Sequence, residues 1–274
     1  MSVFKTKTKL ILLTLITMLV ALLVSVVAVL AAQRVTLNAN VNVNYYSPKT
    51  LATNLQSNLG SATTLTFDYY DNRPESLTHV AAVDASSVGC DNGGISLYKN
   101  SGTDYYVLSK TEILAPASCY QLFYNLNKLT SISFNNFNTE NVTDMSYMLR
   151  YCYRLSTIDG LNKFNTSRVT TMMSMFFDCG SLESLDLSSF NTGQVIDMSL
   201  MFCGCSSLTF LDISNFNTSN VTDMRAMFQY CTNLISLNAS NINLSKISAI
   251  IESAKTSFPT SVQPPFVVTF LINC

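Results

Sequence analysis

The sequence predicts an α/β fold in which a solenoid contains a short helix and a parallel β-strand in each coil. A small β-rich region and an N-terminal hydrophobic helix precede this solenoid. One motif occurs four times, and its leading phenylalanine and its closing cysteine both recur at spacings of 27, 26 and 26 residues. These residues are Phe137, Phe164, Phe190 and Phe216, and Cys152, Cys179, Cys205 and Cys231. A fixed period of this length indicates stacked units, none of which buries its apolar face alone.

The first half of each repeat carries a stripe of apolar residues with helical spacing. In the last full repeat, Met224, Met227, Phe228 and Cys231 stand at i, i+3, i+4 and i+7, which predicts a short helix with one buried face. The equivalent stripes are Met145, Met148, Leu149 and Cys152; Met172, Met175, Phe176 and Cys179; and Met198, Met201, Phe202 and Cys205. A threonine or aspartate before a stripe fits the first turn of such a helix, where it caps free N–H groups.

The second half of each repeat predicts a β-strand, because leucines and isoleucines alternate with polar residues, as in Leu211 and Ile213. We expect the strands of successive coils to pair in parallel, about 4.8 Å apart. The first repeat has one extra residue near Gly160, which predicts a local bulge. An asparagine follows each leading apolar residue, and we expect these amides to form a buried ladder between coils. They are Asn138, Asn165, Asn191, Asn217 and Asn243.

Four segments follow from these patterns: residues 1–32, a signal peptide or transmembrane anchor; 33–110, a β-rich region; 111–256, the solenoid; and 257–274, a tail. Alternation predicts a strand from Val35 to Tyr45 and another through Leu65, Phe67 and Tyr69. The leucines at 51, 55 and 59 suggest a short helix that ends near Gly60. The runs 95–98 and 105–108 flank a turn-like tract and predict a hairpin.

The N-terminal segment predicts export. Lys5, Lys7 and Lys9 precede an uncharged apolar run from Leu10 to Ala32, the pattern of a segment recognised by the secretion machinery. Cleavage after Ala31 would release the chain, whereas the run is also long enough to span the ~30 Å hydrocarbon core of a bilayer as an anchor. Both alternatives place everything after Gln33 outside the cytoplasm.

The motif F-N-T-S-N-V-T-D-M-x-x-M-F, followed by C-x-x-L and L-D-I-S, resembles that of BspA-like leucine-rich-repeat surface proteins over residues 115–250. The resemblance implies a leucine-rich-repeat solenoid displayed on a cell surface. Members of this family are associated with adhesion, with host-protein binding or with no assigned activity, and the resemblance transfers no catalytic residue.

Composition argues against several other functions. The counts of 17 acidic and 16 basic residues give a formal charge of −1, which provides no basic surface for nucleic acid. His79 is the only histidine, so a histidine-based triad or a multi-histidine zinc site is excluded. Asp68, Asp71, Glu75 and Asp84 form an acidic cluster without a supporting catalytic motif. We therefore expect no enzyme activity, no cofactor and no metal.

The cysteine row allows two interpretations. Export permits oxidation, so cysteines of neighbouring coils are candidates for a disulfide framework. Cysteine also behaves as a small apolar residue when it lies on a buried stripe, as the methionines do.

The candidate binding residues lie on the outward side of the predicted strands. Asp159, Asp186 and Asp212 occur once per coil, and Phe210 and Ile235 place apolar side chains on the same face. We expect this sheet face to bind an extracellular protein or glycan at the cell surface or after secretion, with the membrane as a further partner if residues 10–32 stay uncleaved. The alternative is a structural module that associates with copies of itself.

Overall fold

The computed structural model describes residues 49–51, 55–83, 94–240, 242–243 and 267–269, all within one compact unit, Tyr46–Cys274. The predicted signal or anchor segment, the predicted strand from Val35 to Tyr45 and most of the tail lie outside these residues. No helix among the described residues has both the length and the apolar character needed to cross a bilayer.

The largest sheet has six strands in the order β3-β4-β5-β2-β7-β8. The strands are β2 (Thr64–Tyr69), β3 (Thr78–Ala82), β4 (Ile95–Lys99), β5 (Asp104–Ser109), β7 (Ser131–Phe134) and β8 (Thr157–Asp159). Strands β4 and β5 form the predicted antiparallel hairpin, and β2 is the strand predicted from its alternating residues. Strand β2 lies between β5 and β7 and is parallel to both, so one sheet joins the β-rich region to the first repeats.

Two smaller sheets complete the strand content of the described residues. Strand β1 (Lys49–Thr50) pairs in parallel with β6 (Ile113–Leu114). In the last repeats, β10 (Ser236–Asn238) lies between β9 (Phe210–Asp212) and β11 (Val267–Thr269), and all three are parallel. The segment 182–187, predicted as a strand of the intervening repeat, is not part of any sheet. It belongs to the second repeat, which begins at Phe164, so the strands of the first and third repeats lie in different sheets.

The prediction of a short α-helix in each repeat is wrong. The described residues contain only short 3-10 segments, at Leu55–Asn58, Tyr70–Asn72 and Leu161–Lys163. The methionine stripe instead follows a run of tight turns. Met148 N–H donates to Met145 O at 3.4 Å, and Cys152 N–H donates to Leu149 O at 3.3 Å.

Left-handed residues close these turns. Tyr147 (φ 59°) and Tyr151 (φ 66°) occupy the third position of their turns, where type II turns require positive φ. The same two positions are left-handed in the following repeats: Ser174 and Asp178; Leu200 and Gly204; and Ala226 and Tyr230. Two left-handed residues four apart are incompatible with an α-helix, which explains why the stripe is buried but not helical.

Every second N–H of the turn run bonds to the next repeat. The N–H groups of Met172, Ser174 and Phe176 donate to the carbonyls of Asp197, Ser199 and Met201 at 2.9–3.0 Å. The residues between them donate within their own turns, as Met175 does to Met172 O and Phe177 does to Ser174 O. Bonds within a turn and bonds between repeats therefore use alternate carbonyls. Parallel bridges also connect one residue of each successive repeat: Ser118, Asp144, Thr171, Asp197 and Asp223. The repeats therefore stack side by side.

The core consists of the repeat positions that the sequence pattern predicted to be buried. The methionines, phenylalanines and cysteines of the stripes and the leading phenylalanines are all at most 6% exposed. The rings of Phe176, Phe202 and Phe228 stack face to face, with centroids 5.6–5.7 Å apart. Stacked rings at the repeat spacing show that burial comes from neighbouring coils.

Threonines, and not asparagines, form the buried polar ladder between repeats. Thr192 Oγ1 donates to Asn217 O at 3.0 Å and accepts from Asn217 N at 2.8 Å. Thr166 bonds in the same way to Asn191. The predicted buried asparagine ladder is wrong, because each side chain turns outward and accepts from the N–H two residues later. Those bonds join Asn138 to Glu140, Asn165 to Ser167, Asn191 to Gly193, and Asn217 to Ser219.

Candidate functional site

The predicted binding residues lie on the exposed side of the strands. Asp159 ends β8 and Asp212 ends β9, and both side chains are exposed. Asp186 is exposed as well, but it lies in the segment that is not part of a sheet. Phe210 begins β9 and is 51% exposed. Ile235, which directly precedes β10, is 50% exposed.

The two apolar residues lie close together in neighbouring repeats. Strands β9 and β10 pair Phe210 with Ser236, and the N–H of Ile235 donates to Thr209 O at 2.9 Å. Ile235 is therefore one residue out of register with Phe210, and both expose an apolar side chain at the same end of the paired strands. Asp212 lies two residues after Phe210 on β9, while Asp159 lies in the other sheet.

Local hydrogen bonds hold two of the aspartates. Asp212 Oδ1 accepts from Ser214 N at 2.8 Å and Oδ2 accepts from Asn238 Nδ2 at 3.0 Å. Hydrogen bonds from Ser214 lower the pKa of Asp212, and bonds from Ser188 lower the pKa of Asp186. Bonds to the charged form keep these carboxylates ionised and oriented. Each of the two carboxylates accepts from the N–H of the serine two residues later and so stabilises the turn that follows it.

No group of three or more metal-ligating side chains occurs within the described ranges. His79 lies on β3, where its ring packs edge-on against Tyr98 at 5.3 Å. Of the acidic cluster predicted from the sequence, the structure describes Asp68, Asp71 and Glu75. Asp68 accepts from Asn72 Nδ2 at 2.8 Å and from Asn135 Nδ2 at 3.1 Å, while Asp84 lies outside the described residues.

The cysteines of the described residues are buried and form no disulfide with one another, in agreement with the second interpretation. Cys119, Cys152, Cys179, Cys203, Cys205 and Cys231 are free thiols. In Cys152, Cys205 and Cys231, the Sγ–H donates to a backbone carbonyl of the preceding repeat at 3.0–3.2 Å. Burial raises the pKa of Cys152 and of Cys231 to about 12. The thiols are therefore protonated core donors, unsuited to nucleophilic chemistry at neutral pH.

Sequence reasoning missed a second cluster, which lies on the turn runs of the first repeats. We call it the tyrosine–arginine patch; it consists of Tyr120, Tyr147, Arg150, Tyr151, Tyr153 and Phe177. The guanidinium of Arg150 lies 4.2–4.9 Å from the ring centroids of Tyr147, Tyr151 and Phe177. Its Nη2 donates to Tyr151 Oη at 2.8 Å. The signal was variation between repeats: the position of Tyr147 holds Ser174, Leu200 and Ala226 in the later repeats.

The repeats match a family model. It is described as "Mycoplasma protein of unknown function, DUF285", and the match covers residues 117–242, somewhat less than half of the chain. No curated protein shows significant similarity to this sequence. Among solved structures, the chain is similar to the leucine rich repeat protein of T. pallidum at 15% identity, over 55% of this chain and 70% of that one. The TM-score of 0.32 is too low to establish a common fold.

Proposed function

We propose that this chain is an exported surface protein that binds an extracellular protein or glycan through the exposed strand face of a leucine-rich-repeat solenoid. The stacked repeats support the solenoid, because backbone bonds and threonine bonds both run from each repeat to the next. The apolar run from Leu10 to Ala32 supports export, by cleavage or as a membrane anchor. Residues 115–250 resemble surface proteins of the BspA-like class, which supports adhesion.

The observation that carries the binding surface is the pair of exposed apolar side chains at the start of β9 and directly before β10. Phe210 and Ile235 each expose about half of their surface, and two residues after Phe210 the carboxylate of Asp212 is held in one orientation. An aromatic residue next to an oriented charge is a common composition for the energetic centre of an interface. A rigid strand backbone also lowers the entropy lost on binding. The proposal requires no catalytic residue and no cofactor.

The test is an array of extracellular-matrix proteins and glycans probed with the full 274-residue chain. For each ligand found, we expect Phe210→Ser and Ile235→Ala to weaken binding about tenfold or more, since hot-spot truncations cost about 2 kcal/mol. Ile196→Ala is the matched control, because Ile196 is also 50% exposed but lies on the turn side of the repeat. Equal binding by all three variants would rule out the strand face.

Self-association is separated from ligand binding by light scattering. If the chain forms a concentration-dependent oligomer and Phe210→Ser makes it monomeric, the strand face mediates contacts between copies of the chain. A monomer at all concentrations, together with ligand binding sensitive to Phe210, supports the proposal as stated.

A further inference from the structure

We propose that the strand face binds a basic protein, and that an arginine of this partner stacks on Phe210 and pairs with Asp212. The inference rests on the proposed function, because it concerns the same face and narrows the ligand from a protein or glycan to a protein with an exposed arginine. Three observations carry it: the charge of the surrounding repeats, the spacing of the two side chains, and the hydrogen bonds of the carboxylate.

The repeats around the apolar pair are acidic, although the whole chain is nearly neutral. Between Arg168 and Lys246 the sequence has six acidic residues and one basic residue, which gives this segment a formal charge of −5. The one basic residue, Arg225, already forms a salt bridge with Asp223 at 3.2 Å. Since the whole chain has 17 acidic and 16 basic residues, the negative charge is concentrated where the binding surface lies. Such a field attracts a cationic partner and speeds its association.

The outward positions of the strand face carry no positive charge within the repeats. Three positions in each repeat point outward, as Thr209, Phe210 and Asp212 do in the third repeat. From Thr130 to Asn238 these positions hold serines, threonines, one asparagine, the two apolar residues and four acidic residues, and none holds lysine or arginine. The four acidic residues are Asp159, Glu183, Asp186 and Asp212. Most charged glycans are themselves acidic and are repelled by such a face, which favours a basic protein.

Phe210 and Asp212 have the spacing that one arginine needs. They begin and end β9, so both side chains point to the same side of the strand, about 6.6 Å apart along it. A guanidinium stacks its plane on an aromatic ring and donates from its edge to a carboxylate, so a single side chain makes both contacts. Ile235, half exposed in the neighbouring repeat, adds apolar surface for the partner residues beside that arginine.

The Asp212 carboxylate is ionised, oriented and able to accept further bonds. Its Oδ1 accepts from Ser214 N at 2.8 Å and its Oδ2 from Asn238 Nδ2 at 3.0 Å. A carboxylate has about four lone-pair sites, so acceptor capacity remains for a guanidinium. The hydrogen bonds, chiefly those from Ser214, lower its pKa and keep it charged at neutral pH. Because its orientation is already fixed, it loses little entropy when the partner binds.

The experiment measures binding of a labelled octapeptide of alternating arginine and leucine to the full chain in mild detergent, by fluorescence anisotropy. The matched probe replaces each arginine with citrulline, which keeps the shape and removes the charge. We expect the arginine peptide to bind, to bind more weakly as salt is added, and to exceed the citrulline peptide about tenfold or more in affinity, since hydrogen bonds between charged groups are roughly twice as strong as neutral ones.

Two variants separate the contacts of the arginine, and a third is their control. Asp212→Asn removes the charge and Phe210→Leu removes the ring but keeps an apolar side chain, and we expect each to weaken binding of the arginine peptide about fivefold or more. Glu140→Gln is the matched control, because it changes the net charge by the same amount at an exposed site away from the strand positions. We expect that variant to bind like the unmodified chain.

The inference is overturned if the arginine peptide does not bind, if the citrulline peptide binds equally well, or if Asp212→Asn and Phe210→Leu leave binding unchanged. Ligands of the array that remain sensitive to Phe210→Ser would then keep the proposed function and contradict only the basic partner. An array without any such ligand contradicts the proposed function itself. The comparison of the two peptides uses the unmodified chain, so it decides the role of the charge even if a variant fails to fold.

Discussion

Single residues impose the strictest steric limits in this molecule, and two glycines show why. Gly160 (φ 79°) and Gly204 (φ 78°) both have left-handed backbones. A Cβ on Gly160 would lie 2.7 Å from Phe134 O, and one on Gly204 would lie 2.0 Å from Asp178 Oδ1. The repeat length predicted a bulge near Gly160, but the strands before it pair without a bulge and the left-handed glycine leads into the 3-10 segment Leu161–Lys163. At Gly204 the residue type itself was the only indication, because no other repeat has a glycine there.

Gly204→Ala is expected to destabilise the protein by about 1–2 kcal/mol or more, since the strain of left-handed alanine adds to the displacement of Asp178. Urea unfolding of the full chain measures the change. Gly60→Ala is the control, because its added Cβ meets nothing within 4 Å. A loss no larger than that of Gly60→Ala would contradict the left-handed assignment.

Thr192→Val is expected to cost about 1–2 kcal/mol, because the hydroxyl of the buried Thr192 bonds to the partly buried N–H and carbonyl of Asn217, which would lose that partner. Valine keeps the shape, so urea unfolding reports the hydroxyl alone. Thr222→Val removes an exposed hydroxyl that donates to Ile196 O at 3.2 Å and is expected to be nearly neutral. Equal losses in both variants would mean that the buried ladder contributes no more than the surface one.

At the scale of elements, the sequence predicted which residues are buried but not the backbone that buries them. A stripe at i, i+3, i+4 and i+7 suits an α-helix. Two turns closed by left-handed residues place Met172, Met175, Phe176 and Cys179 inside equally well. The signal against a helix was the polar residue type at Asp178 and the glycine at 204, both tolerant of positive φ. Periodicity alone does not distinguish the two, because burial depends on side-chain direction and not on hydrogen bonding.

Ala226 provides a direct test, because it is left-handed with φ 53°. Glycine removes the strain of about 1–2 kcal/mol at the expense of about 0.5–1 kcal/mol in chain entropy. Ala226→Gly is therefore expected to raise the free energy of unfolding slightly, and Ala226→Val to lower it. A helix would give the opposite response to glycine, with a loss of about 1 kcal/mol. Thermal unfolding of the three proteins decides between them.

For the whole molecule, the sequence predicted the stacking period and the inward positions, while the interrupted sheet and the tyrosine–arginine patch required coordinates. The segment 182–187 has leucines at the same positions as its neighbours and still forms no strand, and nothing in its own sequence pattern explains the difference. The patch depends on which side chains meet across repeats, such as Tyr151 and Phe177. Amino-acid composition does not show which side chains contact each other across repeats.

The thiol row gives the molecule a pH dependence. Burial raises the pKa of Cys119, Cys152 and Cys231 to about 12, above an ordinary value near 9. Because the folded state holds these protons more tightly than the unfolded state, their contribution is complete below pH 9 and is lost as the pH rises toward 12. Urea unfolding is expected to show falling stability above pH 9, with a shallower fall in Cys152→Ala. An unchanged slope in that variant would contradict the role of the thiols.

The backbone bonds that pass from each repeat to the next have a consequence for inheritance. Every unit offers its neighbour the same set of donors in the same register. Duplication or loss of one whole unit by recombination therefore leaves the joints between the others intact and changes the length of the molecule by about 4.8 Å. The one extra residue of the first repeat is accommodated beside the left-handed Gly160 and the 3-10 segment that follows it. The length of the stack of repeats can therefore change by whole repeats while the core of each repeat stays the same.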